Sequence, residues 1–152
     1  MLHIYVDADA CPVKQEALKV AKRYGLPLTF ISNSPMFIPN QESAEHVVVE
    51  GQFDAADDWI VERVTKDDIV VTGDIPLVHR CIQKGARVLG PTGKPFTEQN
   101  IGEIISTRDL MTVLRGSGDV TGGPAPFQKE DRSRFLQTLD QIIQNIKNET
   151  KL

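Results

Sequence analysis

The sequence predicts an α/β domain, a three-layer sandwich in which helices cover both faces of a mostly parallel central sheet. Short apolar, β-branched runs alternate along the chain with segments of helical period, which is typical of crossover units in a parallel sheet. The 152 residues, 40% hydrophobic and 25% charged, are expected to form one globular domain, residues 1–152. Right-handed crossovers predict the three-layer arrangement, and the strand order that we expect is 3-2-1-4-5.

The predicted elements follow one another in regular alternation. Strands are predicted at residues 3–6, 27–32, 46–50, 69–72 and 86–89. Helices are predicted at residues 12–24, 54–64, 75–84, 97–114 and 128–147, the last two forming a C-terminal helical extension at about 97–148. Pro12 in the first turn and Gly25 after the last residue mark the ends of the first helix. Residues 33–45 are predicted to be a loop, and residues 90–95 a turn.

The composition also excludes several classes of protein. No apolar run approaches the roughly 18 residues that a membrane span requires, so no membrane association is expected. Asp7 and Asp9 lie where the apolar core of a signal peptide would be. The two cysteines, Cys11 and Cys81, are too few for a disulfide framework. We therefore expect a cytoplasmic protein.

Charge is distributed unevenly along the chain. Residues 1–75 hold 6 Lys and Arg against 13 Asp and Glu, a net charge of −7. Residues 76–152 hold 11 against 8, a net charge of +3, and the two halves give the overall −4. An acidic half joined to a basic half suits a carboxylate-rich site bordered by cations. The alternative is that the acids form a solvated surface.

Several aspartates follow predicted strands directly. Asp7 and Asp9 follow the first strand, and Asp74 follows the fourth. The carboxyl ends of parallel strands converge where the strand order reverses, so these side chains are expected to meet there. Asp57 shares a helix face with the apolar Ile60, where a carboxylate is costly unless it is neutralised. The predicted catalytic residues are Asp7, Asp9, Asp57 and Asp74.

Clustered carboxylates favour a bound divalent cation. Like charges a few ångströms apart repel unless a cation or a proton lies between them, and Mg²⁺ or Mn²⁺ accepts such oxygen ligands. The predicted metal ligands are Asp7, Asp57, Asp74 and Asp54, the last of which lies in the first turn of a predicted helix. The alternative interpretation is that Asp9, Asp54 and Asp74 cap helices.

A second set of residues is predicted to bind substrate. Arg108 and Arg115 lie seven residues apart on one face of a predicted helix, which leads into a Gly-rich segment. Cations beside flexible backbone amides suit phosphate contacts, although a solvated arginine face beside a turn is an equal alternative. Asn33, after the second strand, is a further candidate or the start of a turn. The predicted substrate-binding residues are Asn33, Arg108, Arg115, Thr121, Gly122 and Gly123.

Several motifs together resemble one family of bacterial proteins, the uncharacterised YaiI/YqxD type. The motifs are VDADACP (6–12), FDAAD (53–57), TGDIPL (72–77), RDLM (108–111), LRGSG (114–118) and TGGP (121–124). The resemblance covers residues 1 to about 140 and implies a PIN-like domain, a fold similar to that of metal-dependent ribonucleases. It implies metal-ligand roles for Asp7, Asp57 and Asp74, with Asp9 and Asp54 as secondary candidates. PIN nucleases often carry a further acid after the fifth strand; residues 89–92 are LGPT here, which leaves a single-ion site or an inactive one open.

Three functions are compatible with these features. The leading hypothesis is a Mg²⁺- or Mn²⁺-dependent phosphodiesterase that acts on RNA in the manner of a ribonuclease. The first alternative is a phosphatase of the haloacid-dehalogenase type with Asp7 as its nucleophile, and the second is a catalytically silent binding module. RNA is the expected partner; the oligomeric state is left open, with a homodimer among the alternatives.

Overall fold

A six-stranded, mostly parallel sheet forms the centre of the molecule. The computed structural model describes residues 2–35, 44–51, 55–103 and 127–149. Within them the strand order is β3-β2-β1-β4-β5-β6, and every neighbouring pair is parallel except the antiparallel pair β5 and β6. The strands are β1 (Ile4–Asp7), β2 (Leu28–Ser32), β3 (Glu45–Val48), β4 (Ile69–Val71), β5 (Arg87–Leu89) and β6 (Pro95–Phe96). The predicted order of the first five strands is therefore confirmed.

Two pairs of helices cover the two faces of this sheet. The helices are α1 (Lys14–Tyr24), α2 (Ala55–Arg63), α3 (Ile75–Gln83) and α4 (Lys129–Glu149). A 3₁₀ turn (Ala8–Ala10) follows β1, and a short helical segment lies at residues 98–103. One core cluster joins side chains of the sheet to α1 and α4, and a second joins the opposite face of the sheet to α2 and α3. The predicted three-layer sandwich is confirmed.

The helix ends follow from their local sequences. Gly25 follows α1 with φ of 63°, a left-handed conformation that glycine adopts without steric cost. Asp74 precedes α3, and Pro76 lies in the first turn, where its missing N–H costs no hydrogen bond. The glycine after α1 and the aspartate and proline at the start of α3 are all evident in the sequence.

The predicted boundaries differ from the observed ones by at most two residues, and two short elements, a 3₁₀ turn and an edge strand, were not predicted. The 3₁₀ turn after β1 delays the start of α1 to Lys14. Residues 95–96 form the edge strand β6. The prediction places residue 95 at the end of a turn and residue 96 outside any element. A two-residue strand containing proline has no period from which to predict it, and proline is tolerated there because the strand is at an edge.

Part of the predicted C-terminal extension can be compared with the structure. Residues 98–103 are helical, as predicted, and residues 104–114 of that predicted helix lie outside the described residues. The last predicted helix is confirmed as α4, which buries Phe135, Leu139, Ile143 and Ile146. That residues 1–152 form a single domain stays a prediction.

The described residues bear on two further expectations. Among them, no helix combines the length and the apolar character that crossing a membrane requires. Cys11 and Cys81 are buried free thiols, and burial raises their pKa values to about 11 and about 12 respectively. Neither is therefore a thiolate nucleophile at neutral pH.

Candidate active site

Strand β1 directs Asp7 toward α2 and α3. Side chains along a strand alternate between faces: Ile4 and Val6 belong to the core under α1 and α4, and Tyr5 to the core under α2 and α3. Asp7, two residues after Tyr5, has the same parity and ends the strand at its carboxyl edge. The first predicted site residue therefore faces the two helices that carry the other acids.

Thr72 connects Asp7 to Asp74. This threonine directly follows β4, the parallel neighbour of β1, and is only 3% exposed. Its Oγ1 hydroxyl donates to the Asp7 carboxylate at 2.9 Å and accepts the backbone N–H of Asp74 at 3.0 Å. The buried Thr72 hydroxyl thus orients two groups, the Asp7 carboxylate at the end of β1 and the backbone of Asp74 after β4.

Asp74 has the role of a helix cap in this structure. Its side chain accepts the backbone N–H of Leu77 at 3.3 Å, in the first turn of α3. The capping interpretation is therefore realised for this residue, and it is compatible with a place in the acidic cluster because a carboxylate has two oxygens. Capping fixes the Asp74 carboxyl group at the edge of the sheet.

Asp57 lies in the first turn of α2, against Asp74 and Asp7. Its pKa is raised to about 7, first by burial, then by the negative charges of Asp74 and Asp7 and by a hydrogen bond with the Asp74 side chain. The Arg80 guanidinium opposes this shift only in part. Such coupling requires proximity, so acids from α2, β1 and the residue before α3 lie together at the carboxyl edge.

The pKa of Asp7 is raised as well. Burial is the main cause, and the charges of Asp9 and Asp74 act in the same direction. The hydroxyl of Thr72, which donates to the carboxylate, and the backbone of Asp9 oppose the shift. The negative charge of Asp74 thus helps to raise the pKa of both Asp7 and Asp57.

Asp9 and Asn33 are bound to each other and to α2. Both carboxylate oxygens of Asp9 accept the backbone N–H of Asn33, at 3.0 and 3.3 Å. The side-chain oxygen of Asn33 accepts the backbone N–H of Ala56, at 3.2 Å. These two predicted site residues therefore lie at the same edge as the acidic cluster but contact backbone groups.

The remaining predicted site residues cannot be compared with the structure. Lying outside the described residues are Asp54, Arg108, Arg115, Thr121, Gly122 and Gly123. In the ranges that the structure does describe, no three or more His, Cys, Asp and Glu side chains have the spacing of a formed metal site.

Thr72 is the residue of this edge that the sequence interpretation did not select. The available signal was a hydroxyl residue directly after a buried strand and two residues before an aspartate, TGD at 72–74. Hydroxyl residues are common at strand ends, where they often begin turns, so the pattern is weak evidence without knowledge of β1 as the neighbouring strand.

The raised pKa of Asp57 predicts how stability depends on pH. A carboxyl group whose pKa is 3.8 unfolded and about 7 folded stabilises the native state at low pH, and this contribution is lost as the pH rises through about 7. Asp57→Asn removes the loss and keeps a donor for Asp74. Its melting temperature should exceed that of the wild type by several degrees at about pH 8 and equal it at about pH 4.

Thermal unfolding in metal-free buffer at both pH values measures this difference. Asp58→Asn is the matched control: this neighbouring carboxylate is half-exposed and pairs with Arg80 at 2.9 Å. The control should not reproduce the gain at high pH. Equal melting temperatures of Asp57→Asn and the wild type at about pH 8 would contradict the assigned burial of Asp57 in the cluster.

The fold and this edge define a class of protein: a doubly covered, mostly parallel α/β domain with clustered carboxylates where its strand order reverses. A family profile described as "Uncharacterized BCR, YaiI/YqxD family" matches residues 5–145. The chain therefore belongs to the uncharacterised YaiI/YqxD family, as its motifs indicate.

Curated relatives agree with this family. A UPF0178 protein of Nitrobacter winogradskyi is 51% identical over 146 residues, covering 96% of this chain and 93% of the relative. UPF0178 proteins of Rhodopseudomonas palustris (strain HaA2) and Rhodospirillum centenum are 52% and 51% identical; the alignments cover 94% and 97% of this chain and 87% and 98% of the relatives. No solved structure matches the chain significantly.

Proposed function

We propose that this protein is a divalent-metal-dependent phosphodiesterase that cleaves RNA. The observation that carries the proposal is the convergence of acids from three separate elements, where the charge of Asp74 helps to raise the pKa values of Asp57 and Asp7. Perturbed carboxyl groups clustered at the carboxyl edge of a parallel sheet are typical of active sites. The PIN-like relationship that the motifs suggest is part of the same proposal.

The donor set suits Mg²⁺ or Mn²⁺ rather than a softer metal. Asp7, Asp57 and Asp74 offer only carboxylate oxygens, which hard divalent cations prefer. Because burial and the charges of Asp74 and Asp7 raise the pKa of Asp57, a cation bound among these carboxyl groups would displace the proton of Asp57. Metal binding should therefore release a proton and strengthen as the pH rises.

The chain's own residues would divide the work at this edge. Asp7 and Asp74 would hold the ion. The hydroxyl of Thr72 orients the Asp7 carboxylate, and capping of α3 orients the Asp74 carboxylate. The ion, when bound, activates water and neutralises charge on the phosphodiester. Asp57, with a pKa of about 7, could accept a proton near neutral pH and serve as a further ligand.

Substrate contacts in this proposal come from two sources. The N-termini of α2 and α3 lie at the acidic edge, and the positive ends of helix dipoles favour a phosphate there once the carboxylates are neutralised. Contacts with the RNA backbone stay predictions for the remaining substrate-binding candidates, which are Arg108, Arg115, Thr121, Gly122 and Gly123. A net charge of −4 predicts modest affinity, since nucleic-acid affinity depends on cationic contacts.

The test combines metal binding with two substrates. Thermal unfolding with increasing MnCl₂ should show a rising melting temperature, since saturation at a hundredfold excess over the Kd stabilises by about 2.7 kcal/mol. In the same buffer the protein should cleave single-stranded RNA, and EDTA should abolish this cleavage.

Other outcomes separate the alternatives. Turnover of p-nitrophenyl phosphate with phosphate trapped on Asp7, and no cut RNA, would replace the proposal with a haloacid-dehalogenase-type phosphatase. An unchanged melting temperature at saturating Mn²⁺, with RNA left intact, would leave the silent binding module. Either result would overturn the phosphodiesterase.

A further inference from the structure

We propose that Asp9 and Asn33 form a latch that positions α2, and thereby Asp57, against Asp7. The latch consists of the Asp9 carboxylate, the Asn33 backbone N–H and the Asn33 side-chain oxygen. In this proposal neither residue is a metal ligand or a contact of the substrate. The inference rests on the proposed function for its consequence in metal binding, and on hydrogen bonds alone for the latch itself.

Asp9 connects the two halves of the latch. It lies two residues after Asp7 in the 3₁₀ turn, and its carboxylate accepts the backbone N–H of Asn33 at 3.0 and 3.3 Å. The 3₁₀ turn after β1 brings the residue to this position between the ends of β1 and β2. A shift of Asn33 would therefore displace Asp9 and, through the turn that contains Asp9, also Asp7.

Asn33 continues the chain of contacts to α2. Its side-chain oxygen accepts the N–H of Ala56 at 3.2 Å, and Ala56 immediately precedes Asp57. First-turn amides of a helix have no partner within the helix, so an acceptor from another element both satisfies the amide and fixes the start of the helix. The hydrogen-bonded path thus runs from Asp9 through Asn33 to the backbone beside Asp57, and Asp9 is joined to Asp7 along the chain by the 3₁₀ turn.

The short length of α2 makes such an anchor effective. A helix of nine residues is not stable by itself in water, so its position depends on tertiary contacts. Ala56 and Ile60 bury one side of the helix, and the Asp58–Arg80 pair joins it to α3. The latch adds an attachment at the N-terminal end, where Asp57 lies.

The charge and exposure of Asp9 support positioning over catalysis. Asp9 is exposed, and both of its oxygens are directed at one backbone N–H. A charged acceptor makes a stronger hydrogen bond than a neutral one, which suits a residue that must hold an exposed loop end in place.

The experiment compares two variants of Asn33 with a charge control. Asn33→Leu keeps the number and branching of the side-chain heavy atoms and removes the acceptor, whereas Asn33→Asp keeps the acceptor. Ser34→Asp adds the same charge one exposed residue further on. The measurements are amide hydrogen exchange of Ala56 and Asp57 by NMR and the Mn²⁺ dissociation constant by EPR.

We expect faster exchange in the first turn of α2 and roughly tenfold weaker Mn²⁺ binding in Asn33→Leu, as for partners that orient metal ligands. Asn33→Asp should restore both, and Ser34→Asp should match the wild type. Asp9→Ala should resemble Asn33→Leu, and the double variant should be no worse than either single one, because both break the same path.

Three results would overturn the latch: wild-type exchange at Ala56 and Asp57 in Asn33→Leu, additive losses in the double variant, or no rescue by Asn33→Asp. If the wild type binds no Mn²⁺, the proposed function fails, and hydrogen exchange still decides the latch. If Mn²⁺ binds equally to wild type and Asn33→Leu while the exchange differs, the latch has no bearing on the site and the proposal is rejected.

Discussion

We expect Asp74→Asn to lower the proposed Mn²⁺-dependent RNA cleavage by roughly a thousandfold, because in this proposal the carboxylate helps to hold an ion that contributes several kcal/mol to the transition state. The fold should survive the change. Asparagine is as good a helix cap as aspartate, so the bond that Leu77 N–H donates to position 74 is retained. The backbone N–H of residue 74 still donates to Thr72. Cleavage rates at saturating Mn²⁺, with circular dichroism of both proteins, measure the effect.

Asp58→Asn provides the control for that loss. It removes one negative charge from the same edge of the molecule, in the first turn of α2, but its carboxylate pairs with Arg80 on the side of α3. Cleavage by this variant should remain within a few-fold of the wild type. Comparable rates for wild type and Asp74→Asn would remove Asp74 from the catalytic machinery, whatever its role as a cap.

Most of the fold could be predicted because each strand and helix carries a local period. The apolar β-branched runs that became β1, β2 and β4 are buried on both sides, as parallel strands between two helix layers must be. Strand β6 lacked such a signal: it has two residues, and its pairing with β5 depends on the turn that precedes it. The 3₁₀ turn after β1 was missed for the same reason.

The approach of Asp7 to Asp74 could be predicted because it depends only on strand order, whereas Asp57 was predicted from its face of a helix. Once β1 and β4 are neighbours, the residues that follow them share an edge, and this brings Asp7 near Asp74. The roles of Asp9, Asn33 and Thr72 could not be predicted, because each is defined by hydrogen bonds between elements distant in sequence. The periodicity of a sequence indicates which face of a helix or strand a residue occupies. It does not indicate which residue of another element that side chain contacts.

A tight contact between the β5–β6 turn and α4 makes Gly93 a sensitive position. Its φ of 90° lies in the region that L side chains rarely adopt. A Cβ added there would lie 2.6 Å from the backbone of Arg134 and from that of Phe135, both in α4. Backbone atoms cannot move aside as a flexible side chain does, and Phe135 is fully buried in the core between the sheet, α1 and α4.

Gly93→Ala should therefore destabilise the protein by about 3 kcal/mol or more, combining left-handed strain with overpacking against α4. For a chain of this size the melting temperature should fall by roughly 10 °C. Gly102→Ala is the matched control: no described atom lies within 4 Å of its added Cβ, and the residue is helical. The control should gain up to about 1 kcal/mol from helix propensity. Urea unfolding of the two variants measures the contrast, and equal stabilities would mean that α4 does not pack against this turn.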